Sequence, residues 1–144
     1  MENSDTRKLL QECDAGAKMA VTSIDEVLEK VCDSDMKHLL QESKKHHEKL
    51  GNEIHSLLDR CDTDEQDPYP MAKGMSWLKT NMKLGMDNSD ATVADLITDG
   101  CNMGIKSLNK YLNEYEQADS SAKRLCKELT DIEEQLCTKL ERYL

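Results

Sequence analysis

His47 lies on the apolar stripe of a long helical segment, at the place where a metal-binding helical bundle would put an imidazole. A carboxylate-bridged metal pair in such a bundle needs a Glu from each of two helices. It also needs a Glu-x-x-His from each of the other two, all pointing inward. Three residues before His47 stands Lys44, a cation that repels a metal ion, and three residues after Glu133 stands Leu136, which offers no imidazole. Burying an unpaired carboxylate is costly, so the acids are expected outside, between the apolar stripes. The same expectation removes paired-carboxylate acid–base chemistry, which needs its acids in one cleft. His47 is therefore read as a core-edge histidine bonded to a neighbour such as Ser43, in preference to a metal ligand. No catalytic, cofactor-binding or metal-ligating residue is assigned. Were the helices rotated from these registers, Asp14, Glu48 or Asp99 could join His47 as acids.

Other residue sets carry weaker chemistry. His38, Glu42 and His46 recur every four residues and share a helix face. That spacing could hold an adventitious zinc or nickel ion, but it equally describes an exposed charge-pair face, the preferred reading. Cysteines at 13, 32, 61, 101, 126 and 137 are too widely separated for a zinc motif. Cys126, between Arg124 and Lys127, is the one thiol whose basic neighbours favour reactivity. No Gly-rich phosphate loop, nucleophile elbow or zinc-protease motif is present.

The elements that must position these residues follow from composition and period. Phe is absent, Trp occurs once, and Gly and Pro are few, a usage that suits helices and not a sheet. Apolar residues at three- and four-residue spacing predict a first helix over 5–31, through Leu10, Ala17, Ile24 and Val31. A second helix is predicted over 34–61, through Met36, Leu40, His47, Ile54 and Leu58. Cys32-Asp33-Ser34-Asp35 supplies the tight turn and N-cap between them, making an antiparallel hairpin. A third helix over 89–117 follows the Ser89 cap, and its stripe carries Gly100 and Gly104 on one face. Two interior glycines four apart suggest close approach of a neighbouring helix or a ligand. A fourth helix is expected over 120–143, with Leu129, Ile132, Leu136 and Leu140 facing inward.

Between the hairpins, residues 62–88 are too long for a simple turn. Pro70 suits a first helical turn, and Met71, Met75, Leu78 and Met82 form a short apolar stripe. A connecting helix of about sixteen residues would span roughly 24 Å and return the chain to the other end of a bundle. The predicted fold is all-α: a single ferritin-like antiparallel four-helix bundle of two hairpins joined by a long, helix-containing crossover.

With 144 residues and a net charge of −10, the chain has room for one domain and would repel phosphate backbones and anionic lipid. Nucleic acid and membrane are excluded as expected partners. No window approaches the ~20 apolar residues of a membrane helix. The absence of an apolar leader or a Cys-x-x-Cys pair points to reduced thiols in a cytoplasm.

Gly-Met-Ser-Trp-Leu-Lys-Thr-Asn-Met-Lys-Leu at 74–84, Asp-Leu-Ile-Thr-Asp-Gly at 95–100 and Ile-Lys-Ser-Leu-Asn-Lys-Tyr-Leu at 105–112 resemble a family of uncharacterised bacterial ferritin-like proteins. The resemblance runs from about Leu9 to Leu140 and implies a four-helix bundle with a helical crossover. In the wider superfamily, the Glu-x-x-His of the second helix would fall on Lys44 and His47. The third helix's glutamate would fall near Gly100-Cys101, and the fourth helix's histidine near Leu136. The expected role is a non-enzymatic, cofactor-free bundle of bacterial cytoplasm with a degenerate metal site. It would act as a binding or structural module for an unknown protein partner or by self-association. The rival is a ferritin-like metal-binding protein or oxidoreductase using His47 and nearby carboxylates. A third reading has the Met-rich crossover, with Trp77, gripping a partner helix.

Overall fold

The computed structural model describes residues 4–61 and 89–144, and within them all regular structure is helical. The expected crossover, with Pro70, the Met71–Met82 stripe and Trp77, lies outside the described residues. Among the described residues there are four long helices: α1 (Ser4–Leu28), α2 (Ser34–Arg60), α3 (Asp90–Glu114) and α4 (Ser120–Leu140), the last continued by a 3-10 turn at Glu141–Tyr143. No described helix is long and apolar enough to cross a membrane.

The helix starts are set by short side-chain oxygens that accept a backbone N–H left free in the first turn. Asp33 accepts from Met36 N at 2.9 Å, Ser89 from Thr92 N at 3.2 Å, and Asp119 from Ala122 N at 2.9 Å. α1 ends at Leu28, where the chain tightens so that Lys30 N reaches Val27 O at 2.9 Å. That is three residues short of the expected end, yet Val31 stays buried because it still faces the core.

Two apolar clusters fill the interior. The first half of α1 (Leu9, Leu10, Cys13) packs with the later turns of α2 (Leu50, Ile54), with Leu108 of α3 and with Leu125 and Leu129 of α4. The second half of α1 (Ile24, Val27) meets the early turns of α2 (Met36, Leu40), Val93 and Ile97 of α3, and Leu136 and Leu140 of α4. Each fully buried Leu or Ile stabilises the fold by about 1.5–3 kcal/mol, so these stripes hold the helices together.

The ends of α1 are also tied to the second pair of helices. Asp90, in the first turn of α3, accepts from Cys32 N at 2.8 Å through one oxygen and from Asp33 N at 2.9 Å through the other. At the opposite end, Asp5 accepts from Gln117 N at 3.0 Å and Thr6 Oγ1 from Asp119 N at 2.8 Å. These ties hold α1 against α3 and α4 independently of packing at its middle. Asp90→Ala removes two charge-assisted bonds and a favourable charge at a helix start. Urea unfolding at neutral pH is expected to show a loss of about 1–3 kcal/mol.

Candidate ligand cavity and its buried polar pair

α2 brings His47 to the centre of the interior, where it is completely buried. Its Nδ1 lies 2.8 Å from the backbone carbonyl of Ser43 and 3.4 Å from the Ser43 hydroxyl. A carbonyl oxygen only accepts, so Nδ1 carries the proton of that bond and Nε2 is left to face inward. Ser43 is thus the neighbour the sequence suggested, although the contact is to its main chain and the ring sits in the core and not at its edge.

Glu133 of α4 is buried as well, and its Oε1 lies 3.8 Å from His47 Nε2. This corrects two expectations: that the acids would all sit outside, and that Glu133 would have no imidazole to accompany it. The helix turn supplies the reason. α4 buries Leu129, Glu133, Leu136 and Leu140, spaced by four, three and four residues, while Ile132, the residue expected to face inward, is only partly buried. The imidazole comes from α2 across the interior instead of from the residue three positions on.

Neither His47 Nε2 nor Glu133 Oε2 has a hydrogen-bond partner. A separation of 3.8 Å is beyond a normal N···O hydrogen bond of about 2.7–3.2 Å, so the two groups face each other across a gap. Burial raises the Glu133 carboxyl above the usual carboxylate range, and the facing imidazole only partly offsets that rise. Buried polar atoms without partners are uncommon in folded proteins, and here both belong to one small space.

Beside the pair lies a cavity of about 500 Å³ between α1 and α3, with His47, Glu133 and Leu136 among its lining residues. Its α1 wall includes the small residues Ala15, Gly16 and Ala20 beside Glu12, Met19 and Ile24, and its α3 wall includes Ile97, Gly100 and Gly104. A Cβ on Gly100 would meet nothing within 4 Å. A Cβ on Gly104 would collide with the Glu133 Oε2 and come within 3.1 Å of its carboxyl carbon. The two glycines therefore do different things: Gly104 makes room for the buried carboxyl, and Gly100 leaves the cavity open. At the rim, burial and the neighbouring Glu114 raise the Glu12 carboxyl. Met103, also lining the cavity, is more than half exposed.

The acids named as alternative partners of His47 are elsewhere. Asp14 is buried, against expectation, but it binds Lys18 at 2.8 Å and lies 3.7 Å from His55. Position 14 lies four residues after Leu10 and three before Ala17, which brings it onto the buried stripe of α1. Glu48 and Asp99 are exposed. Lys44 pairs with Asp25 at 2.6 Å. His38 and His46 are exposed, and Glu42 lies 3.9 Å from Lys45. Among the described residues no three His, Cys, Asp or Glu side chains converge as a metal site would require.

All six cysteines are free thiols, three of them buried. Cys126, singled out by its basic neighbours, is fully enclosed: its sulfur donates toward Leu108 O at 3.6 Å and is hydrogen-bonded to the Cys13 thiol. That hydrogen bond, with burial, pushes the Cys13 thiol far above its ordinary range, while the same bond, and after it the Lys127 charge, lowers the Cys126 thiol against its burial. Cys101, on the cavity wall, is raised by burial and by the nearby Glu133 carboxyl. The exposed thiol is Cys32, in the turn after α1.

Comparison of the chain with protein-family models, curated proteins and solved structures finds no match. The cavity and its polar pair are accordingly argued from their own chemistry.

Proposed function

We propose that this chain is a non-enzymatic binding module of bacterial cytoplasm, a ferritin-like bundle of two antiparallel hairpins that holds a small molecule where ferritin-like proteins hold a metal pair. The observation that carries the reading is the cavity of about 500 Å³ with two buried, unpartnered polar atoms, His47 Nε2 and one Glu133 oxygen, at its inner side. Ligand pockets are typically about 300–1,000 Å³, mostly apolar, with a few placed polar groups, and this space has that make-up. The ties at both ends of α1 support a cavity formed before any ligand arrives.

The uncharged fluorophore N-phenyl-1-naphthylamine tests it. The probe is expected to brighten on binding, and Gly100→Leu, which extends a side chain into open space, is expected to weaken it about tenfold or more without loss of helicity. No brightening, or unchanged binding by a folded Gly100→Leu variant, overturns the proposal.

The metalloprotein reading draws support from the same His47–Glu133 approach, but it has two facing donors where a metal centre of this class uses a larger carboxylate and histidine set. Elemental analysis of protein expressed with iron supplied separates the two. About two iron atoms per chain, lost in His47→Ala, would favour the metal.

A further inference from the structure

We infer that the ligand of this cavity is an organic cation with an apolar tail, an alkylammonium whose headgroup lies beside Glu12 and Tyr111 while its hydrocarbon runs toward Ile24 and Ile97. The inference rests on the binding reading above and names its ligand class.

The two ends of the cavity differ in chemistry. Its lining runs along α1 from Glu12 to Ile24 and along α3 from Leu96 to Tyr111. Ile24 and Ile97 belong to one apolar cluster, whereas Tyr111 packs on the other, with Cys13 next to Glu12. Glu12 and Tyr111 therefore mark one end, and Ile24 and Ile97 the opposite one. The helix between Glu12 and Ile24 spans about 18 Å at about 1.5 Å per residue, a distance that suits an extended chain. Ala15, Gly16 and Ala20 leave room for that chain along the way.

Charge selects the headgroup. No lysine or arginine is among the lining residues, while Glu12 lines the cavity half-buried. Burial and the like charge of Glu114 both raise its carboxyl, and no neighbouring cation offsets them. The ionised form of Glu12 thus lacks the counter-charge that an ammonium would bring. Tyr111 reports the same field: burial first, then Glu12 and Glu114, raise its phenol. Its ring stacks on that of Tyr115 with centroids 6.1 Å apart, so the headgroup meets a carboxylate and an aromatic wall together, a combination that draws an organic cation. A carboxylate ligand would add a third negative charge beside Glu12 and Glu114. An alcohol would leave Glu12 without a counter-charge. A bare metal ion is not served here, because among the described residues no three donor side chains converge. The net charge of −10 adds a long-range attraction for cations.

The test is displacement of N-phenyl-1-naphthylamine at neutral pH by chain-matched competitors kept below micelle formation: decylamine, which is protonated there, 1-decanol and decanoate. Decylamine is expected to displace the probe at about one-tenth the concentration of decanol, the effect of one charge-assisted hydrogen bond, and decanoate is expected to be the weakest. Glu12→Gln keeps the shape and removes the charge. It is expected to keep probe binding and to bring decylamine within about twofold of decanol. Glu12→Ala, if that variant does not fold, is expected to do the same. Glu48→Gln alters an exposed acid of α2 outside the cavity, changes the net charge equally and is expected to keep the full preference. Decanol or decanoate competing as well as decylamine overturns the inference. So does a preference that survives the loss of the Glu12 charge, or one that Glu48→Gln removes to the same extent. In all of those outcomes the probe still binds, so the binding reading stands. Failure of the probe to bind at all overturns both.

Discussion

Leucine in place of His47 alone is expected to cost about 3–5 kcal/mol, whereas leucine at both His47 and Glu133 should leave the protein as stable as the native chain or about 1–4 kcal/mol more stable. The single change leaves Glu133 buried without the imidazole that partly offsets its desolvation, and it also discards the Nδ1 bond to Ser43. Glu133→Leu alone is expected to cost less, about 1–3 kcal/mol, because the histidine keeps its Nδ1 bond to Ser43 and is left with one unsatisfied nitrogen. The double change fills the same space with side chains that need no partner, and the strong non-additivity between neighbours is the signature to look for in guanidinium unfolding.

The pH dependence has a definite sign. A carboxyl raised in the folded state binds its proton more tightly folded than unfolded. Its contribution to stability is therefore full below the ordinary carboxyl range and declines as pH rises through the folded value. Glu133→Gln removes that titration while keeping the shape. Its stability relative to the native chain should improve as pH is raised from about 4 toward neutrality. The other acids titrate in both proteins and cancel in the difference. A flat difference would mean that Glu133 ionises as freely in the folded protein as in the unfolded one. A polar pair that lowers stability, kept beside a mostly apolar cavity, makes physical sense where binding requires it.

How much of this was visible in the residues depends on how far each feature reaches along the chain. The caps at Asp33, Ser89 and Asp119 were legible because the bond spans three residues. The apolar stripes were legible because burial at helical spacing leaves a mark in residue type. Glu133 was missed for the same reason: a stripe counted only in apolar residues passes to Ile132 and skips the acid. Yet position 133, four after Leu129 and three before Leu136, lies on that face by spacing alone. Asp14 was missed in the same way. The cavity had a fainter trace, in the small residues Ala15, Gly16 and Ala20 opposite Gly100 and Gly104. Small residues mark close packing and empty space alike, and only the separation of α1 from α3 decides between them. That Gly104 yields to a side chain on α4 depends on two helices meeting across the interior, which no local pattern encodes.

Gly104→Ala should displace the Glu133 carboxyl at little net change in stability. Alanine in a helix interior normally gains about 1 kcal/mol over glycine, and Gly100→Ala, whose Cβ meets open space, is expected to show about that gain. At Gly104 the new methyl would overlap the Glu133 oxygen, so the carboxyl has to swing away. The adjoining cavity gives it somewhere to go, and an off-rotamer side chain costs about 0.5–1.5 kcal/mol. Gain and cost nearly cancel, and unfolding should shift by no more than about 1 kcal/mol. What does not survive is the placement of the carboxyl opposite His47 Nε2. In a Glu133→Ala background there is no carboxyl to displace, and Gly104→Ala should recover the ordinary gain of about 1 kcal/mol. A Gly104→Ala protein that gains the full amount on its own would place the Glu133 carboxyl away from α3.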